Sequence, residues 1–153
     1  MSLTKEQYDF SCWVIKYERL SIRCMKYQKD SLKSSDGMIV PLMWNHQHDD
    51  PSWVLGQALL ENREEGIYAY FELFDTPCKW MVEQMIQHRG SVSTSPCVHK
   101  ATINGGYVTS GIILEVSLTP MRIDPDTSYF PLVAETKETL CANYEKAKEN
   151  VQP

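Results

Sequence analysis

No run of about 18 or more apolar residues occurs in this chain, so no transmembrane helix is expected. The first 25 residues lack the basic, apolar and small-residue order of a signal peptide. A cytoplasmic protein is therefore the expectation. The five cysteines, Cys12, Cys24, Cys78, Cys97 and Cys141, are odd in number and form no Cys-x-x-Cys pair. Neither a disulfide framework nor a zinc knuckle is suggested. Positive charge is also short: 15 Lys and Arg stand against 20 Asp and Glu, a net charge of -5. A general nucleic-acid binder would need a basic face to meet phosphates, and none is evident. The chain has no Gly-x-Ser-x-Gly elbow, which excludes the common α/β-hydrolase pattern. It has no His-Glu-x-x-His helix and no internal repeat.

What remains is an ordinary globular composition. Hydrophobic residues make up 42% and charged residues 23% of 153 residues. That length suits one domain with a real core.

Strand-like segments dominate. Phe10 to Tyr17 and Leu20 to Tyr27 read as strands, and Ser34-Ser35-Asp36-Gly37 reads as a turn. Met38 to Trp44 follows, with Pro41 marking an edge or a bulge. Trp53 to Glu61 and Ile67 to Phe74 form an antiparallel pair. In the second, Ile67, Ala69, Phe71 and Leu73 share one face, and Tyr68, Tyr70, Glu72 and Phe74 the other. The period then changes. Asp75-Thr76-Pro77 starts a helix running to about His88, with Trp80, Met81, Met85 and Ile86 as its apolar stripe, and Arg89-Gly90 stops it. Ser91 to Val98 and Tyr107 to Leu118 are extended, joined across Asn104-Gly105-Gly106, a hairpin signal. Thr136 to Asn150 is a charged helix candidate with a thin stripe. The expected fold is mainly β: a closed or nearly closed antiparallel β-barrel of about six to eight strands, because closure removes edges. One central and one C-terminal helix complete it. Residues 1–130 form the barrel domain, and 131–153 a helical tail, an interface or a processed segment.

Chemistry concentrates in three places. Val40 to Asp50 ends in His46, His48, Asp49 and Asp50. Imidazole suits proton transfer near neutral pH, so His46 is a candidate general base. His46 and His48 with Asp49 or Asp50 would equally form a metal-ligand set, and a hydrogen-bonded structural histidine is a third reading. Ser91, Ser93 and Ser95 alternate on one face of an extended segment, which fits a nucleophile or a plain polar sheet face. Glu115 sits in an apolar run, where an acid is costly to bury unless paired. A partner such as His46 would explain it, as would an outward-facing position. Cys97, two residues from Ser95, reads as a bystander.

These stretches carry a family resemblance. The order Val40-Pro41-Leu42-Met43-Trp44-Asn45-His46, Val54-Leu55-Gly56, Glu65 to Ala69, a helix ending in His88, Ser93-Thr94-Ser95 and Gly111 to Leu118 resembles the HK97-type phage prohead maturation protease family. That family is distantly similar to herpesvirus assemblin, and the match runs from about Phe10 to Tyr129. The resemblance implies a serine endopeptidase acting inside the procapsid, in the host bacterial cytoplasm, on the scaffold portion of the major capsid protein. It implies His46 as base, Ser95 as nucleophile and Glu115 as the acid, with no cofactor, metal, membrane or nucleic acid; Ser93, on the same face and about 7 Å along the strand, stays open as the alternative nucleophile. The third member is a second histidine in the herpesvirus relatives, which leaves His48, His88 and His99 as candidates. Those relatives act as dimers, so a homodimer is implied too. Pro96, directly after Ser95, departs from the family pattern and removes a backbone N–H where an oxyanion donor is wanted. A barrel of the same descent that no longer cuts is the principal rival. A His46/His48 metal hydrolase, and an interaction face on Tyr68, Tyr70 and Phe74, are others.

Overall fold

The computed structural model describes residues 3–21, 25–87, 92–120 and Thr127. Seven strands and one α-helix appear among them: β1 (Phe10–Lys16), β2 (Lys26–Tyr27), β3 (Ile39–Trp44), β4 (Val54–Arg63), β5 (Gly66–Leu73), α1 (Lys79–Gln87), β6 (Ser93–Asn104) and β7 (Tyr107–Thr119). The C-terminal helix expected over 136–150, with the 131–153 tail, lies outside the described residues.

The strands form one sheet in the order β1-β5-β4-β3-β7, with β6 along one edge of β7 and the two-residue β2 at its start. Two local signals set most of this order. The β4–β5 hairpin closes on the pair Arg63↔Gly66, so Glu64 and Glu65 are its loop. The β6–β7 hairpin closes on Asn104↔Tyr107, and Gly105 and Gly106 carry φ of 64° and 81°. Positive φ at both loop positions is what a type I′ turn demands, and glycine meets it without steric cost.

The expected barrel is corrected in two respects. First, the curled sheet is an open half-barrel, since no ladder joins β1 to β6 among the described residues. The β1 ladder shifts register between Trp13 and Ile15. There the Trp13 carbonyl accepts from Thr94 Oγ1 at 2.7 Å, so a side chain takes the place of a strand N–H. Second, the sheet is mixed. The crossover through α1 brings the β6–β7 hairpin to the far side of β3, and β3 and β7 run parallel from Leu42↔Val116 to Trp44↔Leu118. Pro41 lies one residue before that pairing begins, where its missing N–H breaks no bond to β7. The strand expected over Leu20 to Tyr27 is reduced to β2 and an isolated bridge, Leu20↔Lys26, with 22–24 outside the described residues.

The core gathers Phe10, Cys12, Leu42, Ala58, Leu60, Phe71, Ile113 and Leu118 between the faces of the curl. The other face of β5 is covered too. Tyr68 and Tyr70 are buried, with Trp13 edge-on to Tyr68 and the Arg63 guanidinium 3.9 Å from the Tyr68 ring. An interaction face on these tyrosines is thereby excluded, because their rings are already packed. The helix stripe is corrected as well. Val82 and Ile86 are buried, four residues apart, whereas Trp80 is 71% and Met81 40% exposed. The 3.6-residue period places 82 and 86 on one face and turns 80 and 81 away.

Candidate active site

Three adjacent strands position the polar cluster. β7 carries Glu115 and Ser117 two residues apart, hence on one face. β6 pairs Ser95 with Ser117 and Cys97 with Glu115, which sets Ser95 and Cys97 on that face. β3 runs beside β7 and delivers the chain to Asn45 and His46 at its end. These two residues have φ of 47° and 55°, and the Gln47 N–H closes the turn on the Trp44 carbonyl at 2.9 Å. Consecutive left-handed residues give the pattern of a type I′ turn, which asparagine and histidine tolerate better than most side chains. β7 anchors the turn: the Leu118 carbonyl accepts from Asn45 N–H at 2.9 Å, and Ser117 Oγ accepts from His46 N–H at 3.0 Å.

The result is a hydrogen-bonded chain of side chains. His46 Nε2 is 3.2 Å from Ser95 Oγ, and His46 Nδ1 is 2.5 Å from Glu115 Oε1. His48 Nε2 reaches the same carboxylate oxygen at 3.1 Å, and Ser117 Oγ donates to Oε2 at 2.8 Å. Glu115 is 4% exposed. Burial pushes its carboxyl pKa up, but the hydrogen bonds from His46, His48 and Ser117 and the nearby imidazole of His46 outweigh that and hold it below the ordinary value. It is therefore a carboxylate at neutral pH. A carboxylate can only accept, so Nδ1 of His46 carries the ring proton and Nε2 presents its lone pair to Ser95. This is the tautomer a general base needs.

All three residues singled out from sequence, His46, Ser95 and Glu115, meet here. Ser93 shares their face and contacts Thr119 Oγ1 at 3.4 Å. Thr94 points the other way, into the core. Asp49 and Asp50 do not join the histidines: both are exposed, and Asp50 Oδ1 accepts from Ser52 N–H at 2.9 Å. His99 is exposed on β6. His88 and Arg89 lie outside the described residues. Cys97 has its thiol pKa raised, by burial first and by the Glu115 charge second, so the thiol stays protonated. Sequence reasoning missed one participant: Ser117 ties Glu115 to the His46 turn, and its only signal was a position two residues from the acid. His48, a sequence candidate as metal ligand and as third member, shares Glu115 with His46.

Ser95 is 3% exposed, yet it lines a cleft with Thr94, Pro96, Val14, Ile15 and Tyr27. Lys16 and Arg19 also border that cleft.

No family model matches the sequence, and no curated protein does. Among solved structures, the chain is similar to the KSHV protease at 11% identity and a TM-score of 0.41, over 93% of this chain and 86% of that one. The reading of the site rests on its own geometry: a buried carboxylate, an imidazole and a hydroxyl in a catalytic-type arrangement.

Proposed function

We propose that this chain is a serine endopeptidase. One observation carries the reading: the unbroken series Ser95 Oγ, His46 and buried Glu115. In this account the Ser95 oxygen attacks a peptide carbonyl carbon while its proton passes to His46 Nε2. The C–N bond then breaks, and His46 returns the proton to the leaving amine. Water, deprotonated by His46, attacks the acyl ester and regenerates the serine. Glu115 holds the tautomer and balances the imidazolium. The motif resemblance supports a role in phage head maturation, with the scaffold portion of the major capsid protein as substrate, inside the procapsid in the host cytoplasm, and a homodimer as one form. The cleft beside Ser95 suits an extended peptide laid along a strand edge.

Pro96 favours a second reading. It offers no N–H immediately beyond Ser95, and Ser95 is nearly buried. A half-barrel that binds scaffold without cutting fits those two facts. The deciding experiment incubates wild type, His46→Ala and Ser95→Ala with a phage major capsid protein precursor that carries its scaffold portion, read by intact mass. Cleavage is expected from wild type alone. No product from any of the three folded proteins would establish the non-cutting reading.

A further inference from the structure

The catalytic-type arrangement leaves one thing unexplained. A serine–histidine–acid series needs one imidazole on the acid, but here two converge on a single oxygen. His46 Nδ1 and His48 Nε2 lie 2.5 and 3.1 Å from Glu115 Oε1, and a ring nitrogen of each histidine and a carboxylate oxygen of Glu115 all lie within 4.8 Å of one another. The left-handed pair Asn45-His46 folds the chain back so that the second ring stands edge-on to the first, with centroids 6.2 Å apart. Two N–H donors sharing one acceptor oxygen gain less than two separate bonds would. Two imidazole nitrogens and a carboxylate oxygen, by contrast, are an ordinary donor set for a tetrahedral divalent ion with one open position.

We propose that His46, His48 and Glu115 bind a divalent transition ion of the zinc type, and that the ion switches the Ser95 centre off. The donor chemistry selects the ion class. Calcium and magnesium take oxygen ligands, and this set offers one carboxylate and two nitrogens. Ser117 supplies the outer support such a site needs, since its hydroxyl donates to Glu115 Oε2 and leaves Oε1 for the ion. The ion has an entry side: the His48 side chain is 50% exposed and that of His46 33%, whereas Glu115 forms the buried floor.

The switch follows from proton bookkeeping on one ring. A neutral imidazole has one N–H. When Nδ1 of His46 gives its lone pair to the ion, the ring proton must sit on Nε2. Nε2 then faces Ser95 Oγ at 3.2 Å as a donor and cannot take the serine proton. His48 makes the same exchange, its proton moving from Nε2 to Nδ1, so neither neutral ring loses a proton overall. Metal and serine chemistry therefore exclude each other at His46. The binding half of this proposal stands on the ligand geometry; the switching half rests on the serine-endopeptidase reading above.

The test separates the two halves. Co2+ is titrated into wild type, Ser95→Ala, Ser117→Ala and His48→Ala, and its visible ligand-field absorption is followed, with circular dichroism confirming the fold of each. Wild type is expected to bind one equivalent, and so is Ser95→Ala, with affinity lowered by no more than the loss of one outer-shell partner gives. Ser117→Ala should weaken binding roughly 10–100-fold, as loss of an outer-shell partner does, and His48→Ala by more than that. An identical spectrum in wild type and His48→Ala overturns the site. Labelling of Ser95 by a fluorophosphonate is then compared with and without Zn2+ within each variant. Zinc should suppress labelling of wild type, a chelator should restore it, and the zinc effect should vanish in His48→Ala. Cobalt binding with no labelling under any condition would keep the site and remove the switch. Zinc-dependent peptide cleavage that survives Ser95→Ala would overturn the inhibitory role in favour of a metal hydrolase.

Discussion

Replacing Ser117 by alanine removes one oxygen atom and should cost far more than an average buried serine. Its side chain is fully buried and works in both directions. It donates to Glu115 Oε2 at 2.8 Å and accepts the His46 N–H at 3.0 Å. The first bond is to a charge and contributes about 1.5–3 kcal/mol; the second joins neutral groups and contributes about 0.5–1.5 kcal/mol. Ser117→Ala leaves a buried carboxylate one donor short and a left-handed turn without its anchor. The expected loss is thus about 2–4.5 kcal/mol, a large share of the roughly 5–15 kcal/mol that holds a domain together. Urea unfolding followed by tryptophan fluorescence measures it. A cycle with Glu115→Gln isolates the charged bond: once the carboxylate is neutral, Ser117→Ala should cost about 1–2 kcal/mol less. A loss below about 0.5 kcal/mol for Ser117→Ala alone, or strict additivity in the cycle, would refute the account of how Glu115 is kept ionised.

The junction of β1 and β6 gives a second prediction. Thr94→Val keeps the shape but leaves the Trp13 carbonyl without its 2.7 Å partner, so it should cost about 1–3 kcal/mol and speed hydrogen exchange along β1 ahead of β4; unchanged exchange on β1 would show that the hydroxyl does not tie the sheet ends. A third concerns acid stability. Burial pushes the Glu61 carboxyl up, but hydrogen bonds from Lys5, Arg63 and Tyr70 and the Arg63 charge outweigh it and hold the pKa at about 2, against an ordinary 4.5. A depressed carboxyl stabilises the fold above its unfolded pKa, and that contribution is lost as pH falls from about 4.5 to about 2. The stability gap between wild type and Glu61→Gln should therefore be flat above pH 5 or so and shrink through that window; a gap independent of pH would contradict it.

The fold was legible where the signal is local. Alternation over Ile67 to Leu73 and the glycine pair after Asn104 are short-range patterns, and both elements formed where those patterns lie. His46 and Glu115 drew attention by type, since a carboxylate in an apolar run and a histidine closing a strand both want partners, though a structural histidine and an outward-facing acid fitted as well; Ser95 was singled out among Ser91, Ser93 and Ser95 by the family resemblance alone. What joined them was not legible. Glu115 and His46 are 69 residues apart, and their meeting depends on β3 lying parallel to β7, a pairing with no local mark. The same holds for the meeting of the sheet's two ends, where Thr94 reaches Trp13 across 81 residues without a ladder forming. Ser117 escaped notice because it acts through Glu115 rather than through a spacing of its own. Trp80 and Met81 misled as apolar residues in a helix, where the buried pair Val82 and Ile86 obeyed the period better.

The central claim is that His46 activates the hydroxyl of Ser95, and covalent capture tests it most directly. Metal-free wild type, His46→Ala, Ser93→Ala and Ser95→Ala are treated with a fluorophosphonate, digested, and the adduct is located by peptide mass. The account predicts one adduct on Ser95 in wild type and in Ser93→Ala, and none in His46→Ala or Ser95→Ala. An adduct on Ser93, or labelling of Ser95 at equal rate in wild type and His46→Ala, would contradict it.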